Sequence, residues 1–401
     1  MIITLLIFLL ILSVLVLIHE FGHFIVAKKL GIKVEEFGFG FPPRAFSFRK
    51  GETLYSINWL PIGGFVKLYG EDEAGSGKVQ LKVHPDLIGT KLKVKDEGRA
   101  FFSRPVWQRV LVVIAGVVMN FFLAALIYYA FLAISNFKTE LPLLGEHKFF
   151  FVNQINKSQV AIGEVSKNSP AEKSGIKAPS AVISVNNRTV DSAENFISIV
   201  NKNKGKEITI VLENLRTLKN YNVKVVPRVS PPKGEGALGI ALSGAEFAEL
   251  RYETKMQKLF SGFVHPSNLI VYNIDVLGKL IGASVKERNI EPVGKNVTGP
   301  LGIFVLVGKV LEIPDLKERI LTVLNLTGLI SVTLAFFNIL PIPALDGGRL
   351  FFILTEGIIG KKISSRYESF IHTIFLALLL GLIFVITIKD FPMFIDFILG
   401  R

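Results

Sequence analysis

The sequence predicts a polytopic α-helical membrane protein with four transmembrane helices and one α/β domain inserted on the outer side. Three observations predict it. Half of the 401 residues are hydrophobic and the mean hydropathy is +0.47, a membrane composition with room for one soluble domain. Four apolar runs, about Ile2–Ala27, Val110–Ile134, Leu321–Leu340 and Phe370–Ile388, approach or exceed the ~20 residues that cross a bilayer core. The stretch from about 148 to 228 instead mixes short strand and helix patterns with turn residues.

The first run lacks a basic leader and a small-x-small cleavage site, so it reads as a retained helix. It carries His19-Glu20-Phe21-Gly22-His23. Ionisable groups in hydrocarbon are costly and mark a site by default. Positions i and i+4 share one helix face, so His19 and His23 can grip one metal ion. Glu20 sits beside them, where a general base could activate a water. The chain has no cysteine, so a zinc site must use His, Asp or Glu. The formal charge of +13 flanks the apolar runs, and no nucleic-acid signature accompanies it.

Charge also sets orientation. Lys28, Lys29 and Lys33 follow the first run, Arg99, Arg104 and Arg109 lie just before or at the start of the second, and Lys361, Lys362 and Arg366 separate the third from the fourth. The positive-inside rule makes these segments cytoplasmic. Both termini and the segment from about 138 to 320 then face outward. His19 lies roughly 26 Å along the first helix, near the cytoplasmic face of a core about 30 Å thick. The third run ends in FFNILPIPALDGGRL and brings Asp346 to the same depth. Pro341 and Pro343 break the helix, and Gly347 and Gly348 permit a tight turn. Irregular backbone at membrane depth belongs in protein or a wet cavity. Asp346 is thus the expected third ligand, and two His, one Asp and a water complete a tetrahedral catalytic zinc site. The alternative is a plain N-cap for the helix that follows.

Residues 44–71 read as a β-hairpin turning at Lys50-Gly51-Glu52, with Gly63 and Gly64 allowing close backbone approach. Its edge could pair with an unwound substrate helix by strand addition; the alternative is an ordinary cytoplasmic hairpin. Residues 148–228 resemble a single PDZ domain, with Pro179-Ser180 in place of the usual Gly-Asp and Asn187 at a turn glycine. The run 259–284 reads as an interfacial amphipathic helix, 299–312 is too short to span, and His265 reads as a surface residue.

HEFGH at 19–23 and NILPIPALDGG at 338–348, with PIGGFVKLYGE at 61–71, FFSRPVWQRVLVVIAG at 101–116 leading to Asn120, and TGPLGI at 298–303, resemble the site-2 protease family (peptidase family M50) of the bacterial regulator-of-sigma-E protease type. The resemblance covers nearly the whole chain. It implies a zinc metalloendopeptidase of the bacterial inner membrane that cuts transmembrane segments of single-pass proteins, such as anti-sigma factors or signal-peptide remnants. The resemblance also implies that a site-1 type protease would trim the substrates first. His19, His23 and Asp346 would bind one zinc ion and Glu20 would be the base. The 44–71 hairpin would be membrane-reentrant. Asn338 would hold substrate backbone, with Gly63, Gly64, Asn120 and Thr333 also implied to contact substrate. Thr333 stands where the family often has Asn, and Val117 where it has Pro.

The chain so read divides into a first helix (1–27), a cytoplasmic or reentrant β region (28–105), a second helix (106–136), the PDZ-like domain (148–228), an outer linker with interfacial helices (229–320), a third helix with the LDG motif (321–360), and a fourth helix with the C-terminus (361–401). Two competing functions are a membrane-anchored zinc peptidase for soluble peptides and a non-catalytic PDZ adaptor.

Overall fold

The computed structural model describes residues 1–71, 97–214, 219–232, 234–289, 294, 297–361 and 365–399. Part of the expected 28–105 region, residues 72–96, lies outside the described residues. The chain forms two compact units, one from Met1–Ile134 with Leu259–Arg401, the other from Ser135–Lys258.

In the first unit α1 (Ile2–Lys29) runs unbroken until Gly31 takes φ +71°. The Ile32 N–H returns to the Ala27 carbonyl at 2.9 Å, a left-handed helix stop. Lys28 and Lys29 occupy the last turn, where the dipole favours cations. The chain then folds into a long hairpin of β1 (Val34–Lys50) and β2 (Thr53–Leu68), turning at Gly51 with φ +64°. Phe37 faces Val66 on one side and Tyr55 on the other, so the start of β1 is flanked by both halves of β2. Among the described residues the last part of β2, Gly64–Leu68, pairs with β1 alone. Ser13 on α1 donates to the Pro61 carbonyl at 2.8 Å and ties the hairpin to the helix.

α2 (Val106–Ile134) passes through Gly116-Val117 as continuous helix, as expected of a chain lacking proline there. It packs against α1 and against α7 (Leu316–Ile339) and α8 (Asp346–Ile359). Its Arg109 makes a two-pronged ion pair with Glu356 of α8, both contacts at 2.8 Å. Between α2 and α7 the chain forms α5 (Lys255–Glu287) and the 12-residue α6 (Pro300–Leu311). The last helix, α9 (Ser365–Ile398), uses buried Asp390 to accept the Gly299 and Gly302 N–H groups at the α6 N-terminus.

Two expectations change. The described residues hold five helices long and apolar enough to cross a membrane, α5 being the fifth. Its apolar residues are diluted by Asn268, Asn273, Asp275 and Lys279, so composition hid its 33-residue length. His265 is fully buried rather than on the surface. Its ring packs edge-on against Tyr128 of α2 at 4.6 Å between centroids. Gly262 permits this approach, since a Cβ there would lie 2.6 Å from the Ala125 carbonyl oxygen.

The second unit is a sheet in the order β3 (Lys138–Leu143), β9 (Ile240–Arg251), β4 (Asn153–Val165), β5 (Ser180–Val185), β7 (Ile208–Asn214) and β8 (Lys219–Val225), with the short β6 (Arg188–Thr189) beside β5. The turn between β5 and β6 takes φ 49° at Asn186 and 63° at Asn187, a conformation asparagine tolerates. Two helices accompany the sheet, α3 (Pro170–Lys173) and α4 (Ala193–Lys202), each started by a serine whose hydroxyl accepts a backbone N–H. Phe196 and Val200 of α4 join Ile162, Val182, Ile210 and Leu212 in one core. β3 and β9 extend the sheet beyond 148–228; β9 lies in the stretch the sequence assigned to a linker.

Candidate metal centre

The centre begins with a broken helix. Leu340 precedes Pro341, and a residue before proline is pushed out of the helical region; α7 ends there with Leu340 at ψ 143°. Six residues after Leu340, α8 starts at Asp346, with Leu345 in the N-cap position. Asp346 is therefore the first residue of α8 rather than its cap, and the positive end of the helix favours its carboxylate. Gly347 and Gly348 make this turn possible. A Cβ on either would come within 1.9 Å of the Leu340 oxygen or 2.5 Å of the Ile342 oxygen.

Asp346 so delivered meets the two histidines of α1. His19 Nε2 lies 2.8 Å and His23 Nε2 3.3 Å from Asp346 Oδ2, and the two Nε2 atoms are 3.2 Å apart. Both histidines are buried. The other ring nitrogens face α2. His23 Nδ1 donates to the Val112 carbonyl at 2.8 Å, and His19 Nδ1 lies 3.3 Å from the Asn120 side-chain amide. A carbonyl can only accept, so His23 carries a proton on Nδ1, and its neutral form turns a bare Nε2 inward.

This donor set suits a divalent ion such as zinc. Ligand atoms 2.0–2.2 Å from a tetrahedral ion stand ~3.3 Å from one another, close to the three separations found here. Two imidazoles and one carboxylate leave a fourth position open, the pattern of a catalytic site.

Glu20 projects beside the cluster and makes no hydrogen bond to a described residue. It lines a cavity of about 70 Å³ with His23, Asp346, Glu71 and Arg349. Arg349 donates to Glu71 at 2.7 Å and joins α8 to the end of the hairpin. Gly64 stands against Glu20, its Cβ direction 3.6 Å from the Glu20 Cγ, and Gly63 takes φ +79°. Thr333 and Asn338 lie on α7 five residues apart, about 140° around the helix. Both are partly exposed, neither bonds a described residue, and neither lines the cavity. Asn120, expected among substrate contacts, is 1% exposed and turned to His19. Ser331 of α7 donates to its backbone carbonyl at 2.8 Å.

Sequence reasoning missed Gly116. A Cβ on it would lie 2.4 Å from His23 Nε2 and 2.7 Å from His19 Cε1. Gly22 faces it from α1, its own Cβ direction 2.4 Å from the Ala115 oxygen. The signal was present: a small residue on each of two apolar helices lets their backbones approach. Val112 and Arg349 carried no such signal, because their partners lie far away in sequence.

The model of peptidase family M50 matches residues 7–382. A protein of Clostridium acetobutylicum is 32% identical over 387 residues, covering 94% of each chain. Zinc metalloprotease RasP of Bacillus licheniformis and Regulator of sigma-W protease RasP of Bacillus subtilis are each 28% identical to this chain, of which the matches cover 96%, along with 98% of the relative. With two histidines, a carboxylate and a neighbouring glutamate brought together among apolar helices, the chain belongs to peptidase family M50, the site-2 protease family, and is a zinc metalloprotease.

Proposed function

We propose that the chain is an intramembrane endopeptidase that cleaves the transmembrane segments of single-pass membrane proteins. The observation that carries this reading is the meeting of His19 and His23 with Asp346, from two helices of an apolar bundle, beside an unbonded Glu20. A peptidase for soluble peptides would draw its third ligand from a soluble segment. A pure adaptor would have no use for the set.

His19, His23 and Asp346 would hold the ion. Zinc, when bound, supplies a Lewis acid that polarises the scissile carbonyl and the attacking water. Glu20 takes the proton of that water as it adds to the carbonyl carbon, then hands it to the leaving nitrogen as the C–N bond breaks. Arg349 and Glu71, paired with each other, line the same cavity as Glu20. A substrate helix must unwind before an amide is exposed, and its freed N–H and C=O groups need partners. The Gly64–Leu68 edge of β2 offers them as an added strand, and its glycine beside Glu20 admits a backbone close to the base. The side chains of Asn338 and Thr333, free of bonds to described residues, can each hold peptide backbone, on faces of α7 about 140° apart.

The site opens toward the cytoplasmic side, as the lysines after α1 and the arginines before α2 support. With α1, α2, α7 and α9 as the crossings and α5 lying at the membrane interface, the termini and the Ser135–Lys258 unit lie outside. Residues 148–228 within it form a PDZ-like domain that keeps bulky outer domains away until a site-1 type protease has trimmed them. The name Regulator of sigma-W protease, borne by one relative, supports substrates of the anti-sigma-factor kind; signal-peptide remnants have the same single-pass form.

The test is Glu20→Gln in a membrane cleavage assay with a single-pass substrate. Zinc content stays at one ion per chain and cleavage falls about 10²–10⁴-fold. Undiminished cleavage would remove Glu20 as the base.

A further inference from the structure

We infer that Asn120 is the positioning residue of the metal centre: its side-chain carbonyl oxygen accepts the His19 Nδ1 proton and so fixes the His19 Nε2 lone pair on the ion. The inference rests on the protease reading above and deepens it.

The two histidines differ in what orients them. His23 has an orienter that can only accept, the Val112 carbonyl. His19 has an amide, which can present either end. The Asn120 nitrogen faces His19 Nδ1 at 3.3 Å, and the Asn120 oxygen is buried without a hydrogen-bond partner among the described residues. Oxygen and nitrogen of an amide are distinguished by their partners rather than by shape. An NH2 group at His19 Nδ1 would need a bare Nδ1 and leave the proton on Nε2. Nε2 is the atom that faces Asp346 at 2.8 Å and His23 at 3.2 Å. A protonated Nε2 cannot be a ligand. Exchanging the two ends of the amide leaves the side chain in place, puts its oxygen on Nδ1–H and bares Nε2. All three inward atoms are then lone-pair donors, which is what a cation requires.

The asparagine is held for this work. It is 1% exposed on the buried face of α2. Its backbone carbonyl accepts the Ser331 hydroxyl of α7 at 2.8 Å. Val112 and Asn120 are eight residues apart, so they lie within about 80° of one another around α2. Gly116 sits midway, where any side chain would strike both imidazoles. One helix therefore supplies the orienting acceptor for each histidine and the gap between them. Metal-ligating imidazoles depend on such partners for tautomer and ring direction, and losing one costs typically 10–100-fold in metal affinity.

The role differs from substrate contact, and the two can be separated. The experiment measures zinc affinity by chelator competition on the purified full chain in detergent, together with KM and kcat on a single-pass substrate. Asn120→Leu keeps the bulk and removes the acceptor. Asn120→Asp keeps an oxygen at the same position. The inference predicts a 10–100-fold loss of zinc affinity in Asn120→Leu, a lower kcat with little change in KM at saturating zinc, and recovery of zinc affinity in Asn120→Asp. Thermal unfolding of the zinc-free variants checks that both remain folded. Unchanged zinc affinity with a raised KM would overturn the inference and return Asn120 to the substrate side. An equal loss in both variants would also overturn it, since the oxygen would then not be the active end. Failure of the wild-type chain to bind zinc at all would strike the protease reading itself instead.

Discussion

At the scale of single residues, the centre depends on atoms that must be present and atoms that must be absent. Asp346→Ala removes one of three converging donors, and zinc content measured by atomic absorption falls well below one ion per chain; full retention would exclude Asp346 as a ligand. Gly116→Ala tests the opposite requirement. The added methyl points within 2.4 Å of His23 Nε2, so zinc is lost and the fold is destabilised by about 1–3 kcal/mol, read as a drop in Tm. The three donors were legible in the sequence. The i, i+4 spacing of His19 and His23 survives any helical folding, and Asp346 follows a proline-broken helix. Gly116 and the orienting pair Val112 and Asn120 were not, because their roles arise only where α1 crosses α2.

At the scale of elements, the hairpin and the α2–α8 contact are held by ion pairs of different kinds. Glu52 at the hairpin turn accepts from Arg99 at 2.8 Å and Lys28 at 3.0 Å. The Arg99 hydrogen bond first, and then Lys28, hold its carboxyl down at about 2, against an ordinary 4.5. A carboxyl whose folded pKa is lowered stabilises the fold above its unfolded pKa and loses that contribution as pH falls through the folded value. Between pH 4.5 and about 2, wild-type protein therefore loses stability more steeply than Glu52→Gln in a pH series of unfolding curves. The Arg109–Glu356 pair is buried, with side chains 8% and 17% exposed. Glu356→Ala leaves an unpaired buried guanidinium and costs about 3–5 kcal/mol, seen as a large Tm decrease. The strongly apolar helices and the Gly51 turn follow from local pattern. α5 and β9 do not: polar residues dilute one, and the other is a strand only because β3 and β4 flank it.

At the scale of the whole molecule, Ser135–Lys258 folds around its own core, so it can be removed between Ile134 and Leu259. If it excludes bulky substrates, its deletion raises cleavage of an untrimmed substrate to the rate of a trimmed one; an unchanged ratio of the two rates would reject the filter. The proposed function requires this zinc centre to cut peptide bonds within the membrane. The most direct measurement incubates the purified, zinc-loaded chain with a single-pass substrate in liposomes and maps the new termini by mass spectrometry. Cleavage inside the apolar segment, toward its cytoplasmic end and absent with Glu20→Gln, is the predicted result. New termini confined to the soluble flanks, or the same products from Glu20→Gln, would contradict it.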